Sequence, residues 1–124
     1  MVKAFSKIKV YKGEKSVEVT ALFDTGSSKS YLNESIAKKL GYELYPKPLK
    51  IPLAVKGKYA EVIGYIHVYL EIAGHRLPEI ETLGVVKDLM ADVIIGRNIM
   101  DAYEIIIEKE RIRFMRYPPV PCLF

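Results

Sequence analysis

Apolar residues in this sequence recur at every second position. Ile8 and Val10 alternate with Lys7, Lys9 and Tyr11. Val17, Val19 and Ala21 alternate with Glu18 and Thr20, and Ile66, Val68, Leu70 and Ile72 with His67, Tyr69 and Glu71. That period sets one face of a β-strand against a core and the other toward water. Turn residues cut the runs short at Lys12-Gly13-Glu14-Lys15, Lys56-Gly57-Lys58-Tyr59 and Ala73-Gly74-His75-Arg76. Pro46, Pro48 and Pro52 exclude helix and suit extended or edge segments. Gly64, inside the run from Val62 to Ile72, predicts a bulge or a close backbone approach. Ser30-Tyr31-Leu32, Glu79 to Val86, Ile105 to Ile107 and Ile112 with Phe114 read as further strands, the last two around a charged turn at Glu108-Lys109-Glu110. Two segments read as short helices. One runs from Asn33 to Gly41, with Asn33 as N-cap, Ile36, Ala37 and Leu40 on one face, and Gly41 as the stop. The other spans Asn98 to Tyr103. Many short strands with frequent turns predict a small barrel or sandwich, with a loose echo of hairpin, turn and helix in each half.

The length of 124 residues suits one domain with one modest core, and half the residues are hydrophobic. No apolar stretch reaches membrane-spanning length, and residues 1–7 lack the apolar segment of a signal peptide. Cys122 is the single cysteine, so no internal disulfide can form. Together these features predict a cytoplasmic protein without membrane partners. The net charge of +4 is spread along the chain. Its densest basic segment, Lys109 to Arg116, reads as a solvated strand face in preference to a nucleic-acid patch. Glutamine and tryptophan are absent and only Asn33 and Asn98 carry asparagine amides, a composition that hints at a thermophilic source.

Chemistry concentrates at Leu22-Phe23-Asp24-Thr25-Gly26-Ser27-Ser28. Two apolar residues run straight into an acid, where burying an unpaired charge would be costly. Gly26 leaves room for another backbone or a substrate, and Ser27 and Ser28 bring hydroxyl donors that can hold a carboxylate. An ordinary Asp-Thr-Gly turn at a strand end explains the same residues equally well. A second stretch, Asp92-Val93-Ile94-Ile95-Gly96-Arg97-Asn98-Ile99-Met100, reads as a buried strand, a glycine and a helix start.

Taken together, in this order and at this separation, the two motifs resemble the retropepsin-like aspartic proteases, over roughly Val17 to Phe114. The resemblance implies a mostly β fold, a closed barrel-like acid protease lobe with two short helices, one lobe per chain, in a single domain over residues 1–124. It implies an aspartic endopeptidase with no cofactor and no metal, and Asp24 as the catalytic residue. Such enzymes use two carboxyls sharing one proton, because like charges in contact cannot both ionise. One Asp-Thr-Gly per chain then calls for a homodimer with Asp24 facing its counterpart. By the same resemblance, Thr25 would hydrogen-bond across the dimer axis and Gly26 would accept substrate backbone. Leu22, Ser28, Val55, Gly57 and Ile94 would bind an extended polypeptide substrate, with apolar side chains preferred around the scissile bond. A flap would span residues 53–66, although an ordinary exposed hairpin accounts for that segment too. Residues 1–5 and 117–124 are candidate dimer-interface strands. Gly96 would let the second helix pack behind the active-site turn, supported by Arg97 and Asn98. The family commonly pairs that arginine with an acid where Ser28 stands here, so Asp101 or a C-terminal carboxylate is the substitute partner. Ser27 donating to the Asp24 carboxylate would favour its charged form and a more acidic pH optimum than alanine would give there.

Three other readings compete. The same fold could serve as a catalytically silent peptide-binding or assembly module. A metal enzyme would need ligands from His67 and His75, which have no ligand spacing. A nucleic-acid binder would use the basic C-terminal strands.

Overall fold

The computed structural model describes residues 2–52 and 59–117. In chain order its elements are β1 (Lys3–Lys12), β2 (Lys15–Asp24), β3 (Tyr31–Asn33), α1 (Glu34–Leu40), β4 (Glu43–Pro52), β5 (Tyr59–Ile72), β6 (His75–Arg76), β7 (Glu81–Val86), β8 (Val93–Ile95), α2 (Arg97–Ala102), β9 (Ile105–Glu108) and β10 (Arg111–Phe114). The alternation has the predicted consequence: Ile8, Val10, Val19, Ala21 and Phe23 face a common core with Ile66, Val68, Leu70 and Ile72. β1 is longer than its apolar pattern, because its main chain stays paired with β2 back to Lys3 opposite Asp24. Gly13, at φ 58°, turns this hairpin in the left-handed region that glycine adopts without strain.

The sheet closes on itself. β2 pairs in parallel with β8, β8 antiparallel with β3, and β3 in parallel with β7. β7 pairs antiparallel with β5, and β5 returns to β1 through Ile72 opposite Ile8. Six strands therefore form a barrel without free edges along that path. β4 lies outside the ring, hydrogen-bonded only to β5. Its ladder is interrupted between Leu44 and Leu49, where Pro46 and Pro48 have no N–H to donate. Gly64 combines both of its predicted roles. The β5–β7 register shifts between Val62 and Gly64, and a Cβ at Gly64 would collide with the Glu43 carbonyl oxygen.

Both helices are short, and α1 is capped by local chemistry at both ends. The Asn33 side chain accepts a hydrogen bond from the Ser35 N–H, and Gly41, at φ 89°, ends α1 with its N–H on the Ala37 carbonyl. α2 starts one residue before the predicted segment, on the backbone of Gly96, with no side-chain cap. The β9–β10 hairpin brings Phe114 into full burial under the barrel. On and just after its outer face, Arg113 bonds Glu108 at 2.7 Å and Arg116 bonds Glu104 at 3.1 Å, while Lys109 and Arg111 are exposed, as expected of a solvated strand face. Among the described residues no helix is long and apolar enough to cross a membrane.

Tyr103 ends α2 inside the core and donates its hydroxyl to Glu81 Oε2 at 3.0 Å. Burial raises the Glu81 carboxyl above its ordinary range; the Tyr103 hydrogen bond opposes this and the nearby Glu79 charge adds to it. The folded state then holds the Glu81 proton more tightly than the unfolded state, so this site weakens the fold as pH rises from the ordinary glutamate range through the raised one. Denaturant midpoints measured across that window should fall more for the wild type than for Glu81→Gln, and parallel curves would refute the assignment. Gly64→Ala should lose about 2–3 kcal/mol, because a backbone carbonyl cannot move aside as a side-chain tip can. A loss under about 0.5 kcal/mol in urea unfolding would mean that β4 yields freely.

Candidate active site

Strand alternation decides which side chains leave the core. On β2, Val19, Ala21 and Phe23 point inward, so Leu22 and Asp24 share the outer face. The register extends that face sideways: Leu22 lies opposite Ile94 on β8, Ile94 opposite Tyr31 on β3, and Tyr31 opposite Gly84 on β7. Gly84 leaves room for the Tyr31 ring, whose Cδ1 would stand 2.8 Å from an added Cβ. Burial raises the Tyr31 phenol above its ordinary range. Asp24 closes this row, its side chain 14% exposed.

The loop after Asp24 is built from backbone hydrogen bonds. Asp24 Oδ1 accepts the Gly26 N–H at 2.8 Å, and the Asp24 carbonyl accepts the Ser27 N–H at 3.1 Å. Behind the loop, the first turn of α2 donates Arg97 N–H to the Ser27 carbonyl at 2.7 Å and Asn98 N–H to the Ser28 carbonyl at 3.2 Å. These are N–H groups for which a helix start has no internal partner. Gly96 sits where the loop presses closest: an added Cβ would collide with the Lys29 carbonyl oxygen and lie 2.6 Å from that of Ser27. Ser30, the one buried polar residue among those described, links the two sides. Its Oγ accepts the Gly96 N–H at 2.9 Å and donates to Asn98 Oδ1 at 2.8 Å.

Asp24, Gly26, Ser27, Ser28 and Ile94 line one cleft of about 480 Å³. Leu22 lines an adjoining depression of about 530 Å³ that shares Ile94, Ala60, Val86 and Leu89. Thr25 is not part of either lining. Its hydroxyl accepts the Val2 N–H at 2.9 Å and donates to the Val2 carbonyl at 3.2 Å, within the same chain. Arg97 meets Asp101 at 3.5 Å on the helix surface, both side chains exposed. Val55 and Gly57 lie outside the described residues, as do Met1 and residues 118–124. The arms flanking residues 53–58 are seen, with Ile51 opposite Ala60 and Pro52 opposite Tyr59. Residues 3–5 belong to β1 and pair with β2 in the same chain.

One expectation is corrected. Ser27 does not donate to Asp24: its single hydroxyl proton goes to the Lys29 carbonyl at 2.7 Å, because the turn curls the side chain back over its own loop. The hydrogen bond on which that expectation rested is therefore absent. Reading the sequence missed Lys3, Lys29, Ser30, Tyr31 and the 86–91 segment, all of which touch or brace the cleft. Lys3 could have been found from the hairpin register, which sets it opposite Asp24; its Nζ lies 4.0 Å from Asp24 Oδ2. Elsewhere His67 Nδ1 meets Thr82 Oγ1 at 2.7 Å, and the His75 ring packs on Phe114 and Tyr117. No group of three His, Cys, Asp or Glu among the described residues could hold a metal ion.

A sequence family described as aspartyl protease matches residues 8–99. No curated protein matches the chain in sequence. Among solved structures, the retroviral protease-like domain of Ddi1 from Leishmania major superposes with a TM-score of 0.64, covering 97% of this chain and 95% of that one at 18% identity. A retropepsin-like aspartic protease from Rickettsia conorii gives a TM-score of 0.57 over 86% of this chain and 76% of that one, also at 18% identity. EIAV protease complexed with the inhibitor HBY-793 gives 0.55 over 81% and 86%, again at 18%. At this identity the likeness is one of fold.

Gly96→Ala should separate the loop from α2. Amide exchange at Arg97 and Asn98 should speed up, and stability should drop by about 2–3 kcal/mol. Unchanged exchange at those two amides would show that the helix start does not hold the loop.

Proposed function

The chain belongs to the aspartyl protease family, and from that premise we propose that it is an endopeptidase acting as a homodimer, with Asp24 of each copy forming one dyad. The observation that carries this reading is the place of Asp24. It ends a core strand on the outer face, beside Leu22 and Ile94, on the floor of an open cleft. Among the described residues it is the only carboxylate lining that cleft, so one chain holds half of an acid–base pair. Two-fold association of one lobe supplies the other half.

In the dimer, one Asp24 is ionised and takes a proton from water. The other is protonated and donates to the carbonyl oxygen as the tetrahedral intermediate forms. The Gly26 N–H on Oδ1 fixes the carboxylate plane, and the loop's tie to α2 limits its drift. A polypeptide would lie extended across the outer row, with apolar side chains against Leu22 and Ile94 and main-chain hydrogen bonds in strand fashion. Gly26 and Ser28 would contact its backbone, and residues 53–66 would cover it, with Val55 and Gly57 near the tip. The whole of residues 1–124 would act as one domain, Thr25 and the two chain ends contributing to the dimer contact. We place the protein in the cytoplasm, since its single cysteine gives it no internal disulfide.

One observation favours a second reading, the silent peptide-binding module. Thr25 already spends its hydroxyl proton on Val2 of its own chain and has none left for a partner. Cleavage of a mixed peptide library from acidic to neutral pH, with Asp24→Asn in parallel, decides between them. The peptidase reading expects dimers in sedimentation and a loss of about 10³-fold or more in the variant, the scale of a general acid–base contribution. Equal cleavage by both proteins refutes the role of Asp24. Peptide binding without cleavage by either supports the module.

A further inference from the structure

We propose that the cleft selects acidic peptides, and that the Lys29 ammonium reads a carboxylate side chain of the substrate near the scissile bond. This rests on the peptidase reading above. Besides Asp24, the charged residues lining the cleft are Lys3 and Lys29. Lys29 also borders the next depression, about 370 Å³, where Tyr45, Tyr65 and Thr82 take part in the lining and Lys29 is the sole charged residue. Lys29 therefore stands where the floor over Asp24 passes into a second pocket.

Its ammonium has no carboxylate partner among the described residues, unlike the cleft's other cation, Lys3, which meets Asp24. Its backbone, in contrast, is held: the Lys29 carbonyl accepts Ser27 Oγ and abuts Gly96. A cation on a flexible stem that rises from an anchored backbone is suited to meeting an anion that arrives with the substrate. In a dimer the imbalance doubles. Each copy brings Lys3 and Lys29, while a dyad that shares a proton keeps a single negative charge. A cleft with an excess of one sign of charge concentrates ligands of the other sign and disfavours those of its own.

The test uses peptides with one apolar scissile pair and Glu, Gln or Lys placed in turn at each flanking position. They are cut by wild type and by Lys29→Glu at low and raised salt, and thermal unfolding checks that the variant folds. At one position or its symmetry mate, wild type should favour Glu over Gln by about fivefold in kcat/KM, the scale of a partly exposed ion pair. The preference should shrink with salt, and Lys29→Glu should favour Lys at that position. Equal Glu-to-Lys ratios in the two proteins overturn the proposal. If neither protein cuts any peptide, the peptidase reading fails on its own terms. Peptide affinities measured by fluorescence anisotropy then decide for or against Lys29: a Glu preference inverted by Lys29→Glu supports it, and unchanged ratios refute it.

Discussion

The close approach of one backbone to another at Gly96 underlies the rest of the site. Without a side chain there, the carbonyls of Ser27 and Lys29 come against the start of α2, and the free N–H groups of that helix find the carbonyls of Ser27 and Ser28. Ser30, buried between the two, satisfies the Gly96 N–H and passes its own proton to Asn98. Each buried polar group in this joint has its partner, which is what makes a polar cluster rigid rather than costly. Asp24 inherits that rigidity through the N–H groups of Gly26 and Ser27, which it accepts, Ser27 being the first residue whose carbonyl is clamped.

Barrel closure gives the joint its location. β8 inserts between β2 and β3, so residues near 94 lie beside residues near 22 and 31. The inward positions of these strands fill the core, and the outward positions make a continuous row ending at Asp24. A functional row on the outside of a closed barrel has no partner layer of its own. The β4–β5 hairpin covers part of it, and the proposed second copy would meet the rest. The catalytic proposal and the fold thus share one geometric source.

Much of this was legible in the sequence. Period-two alternation identified β1, β2 and β5 because one face of each is buried in the middle of the runs. Asn33 and Gly41 marked α1 because capping is local chemistry. The prolines of β4 announced an edge strand because a missing N–H is tolerable only where no neighbour needs it. Gly64 and Gly96 were readable as close approaches, although which atoms would approach them was not. Ser27 was read wrongly, since a hydroxyl next to an acid in sequence can turn to any carbonyl within reach.

By itself, the sequence determined what is local: where strands run, where they turn, how α1 begins and ends, and that an acid follows a core strand. These depend on backbone preferences and on side-chain periodicity within a few residues. Only the tertiary structure decided that Lys3 faces Asp24, that Tyr31 fits over Gly84, that Ser30 bridges to Asn98, and that Lys29 stands between two pockets with no carboxylate partner among the described residues. Those contacts depend on the order in which strands join the barrel. That order follows from the packing of the whole core and is written in no single stretch of the chain.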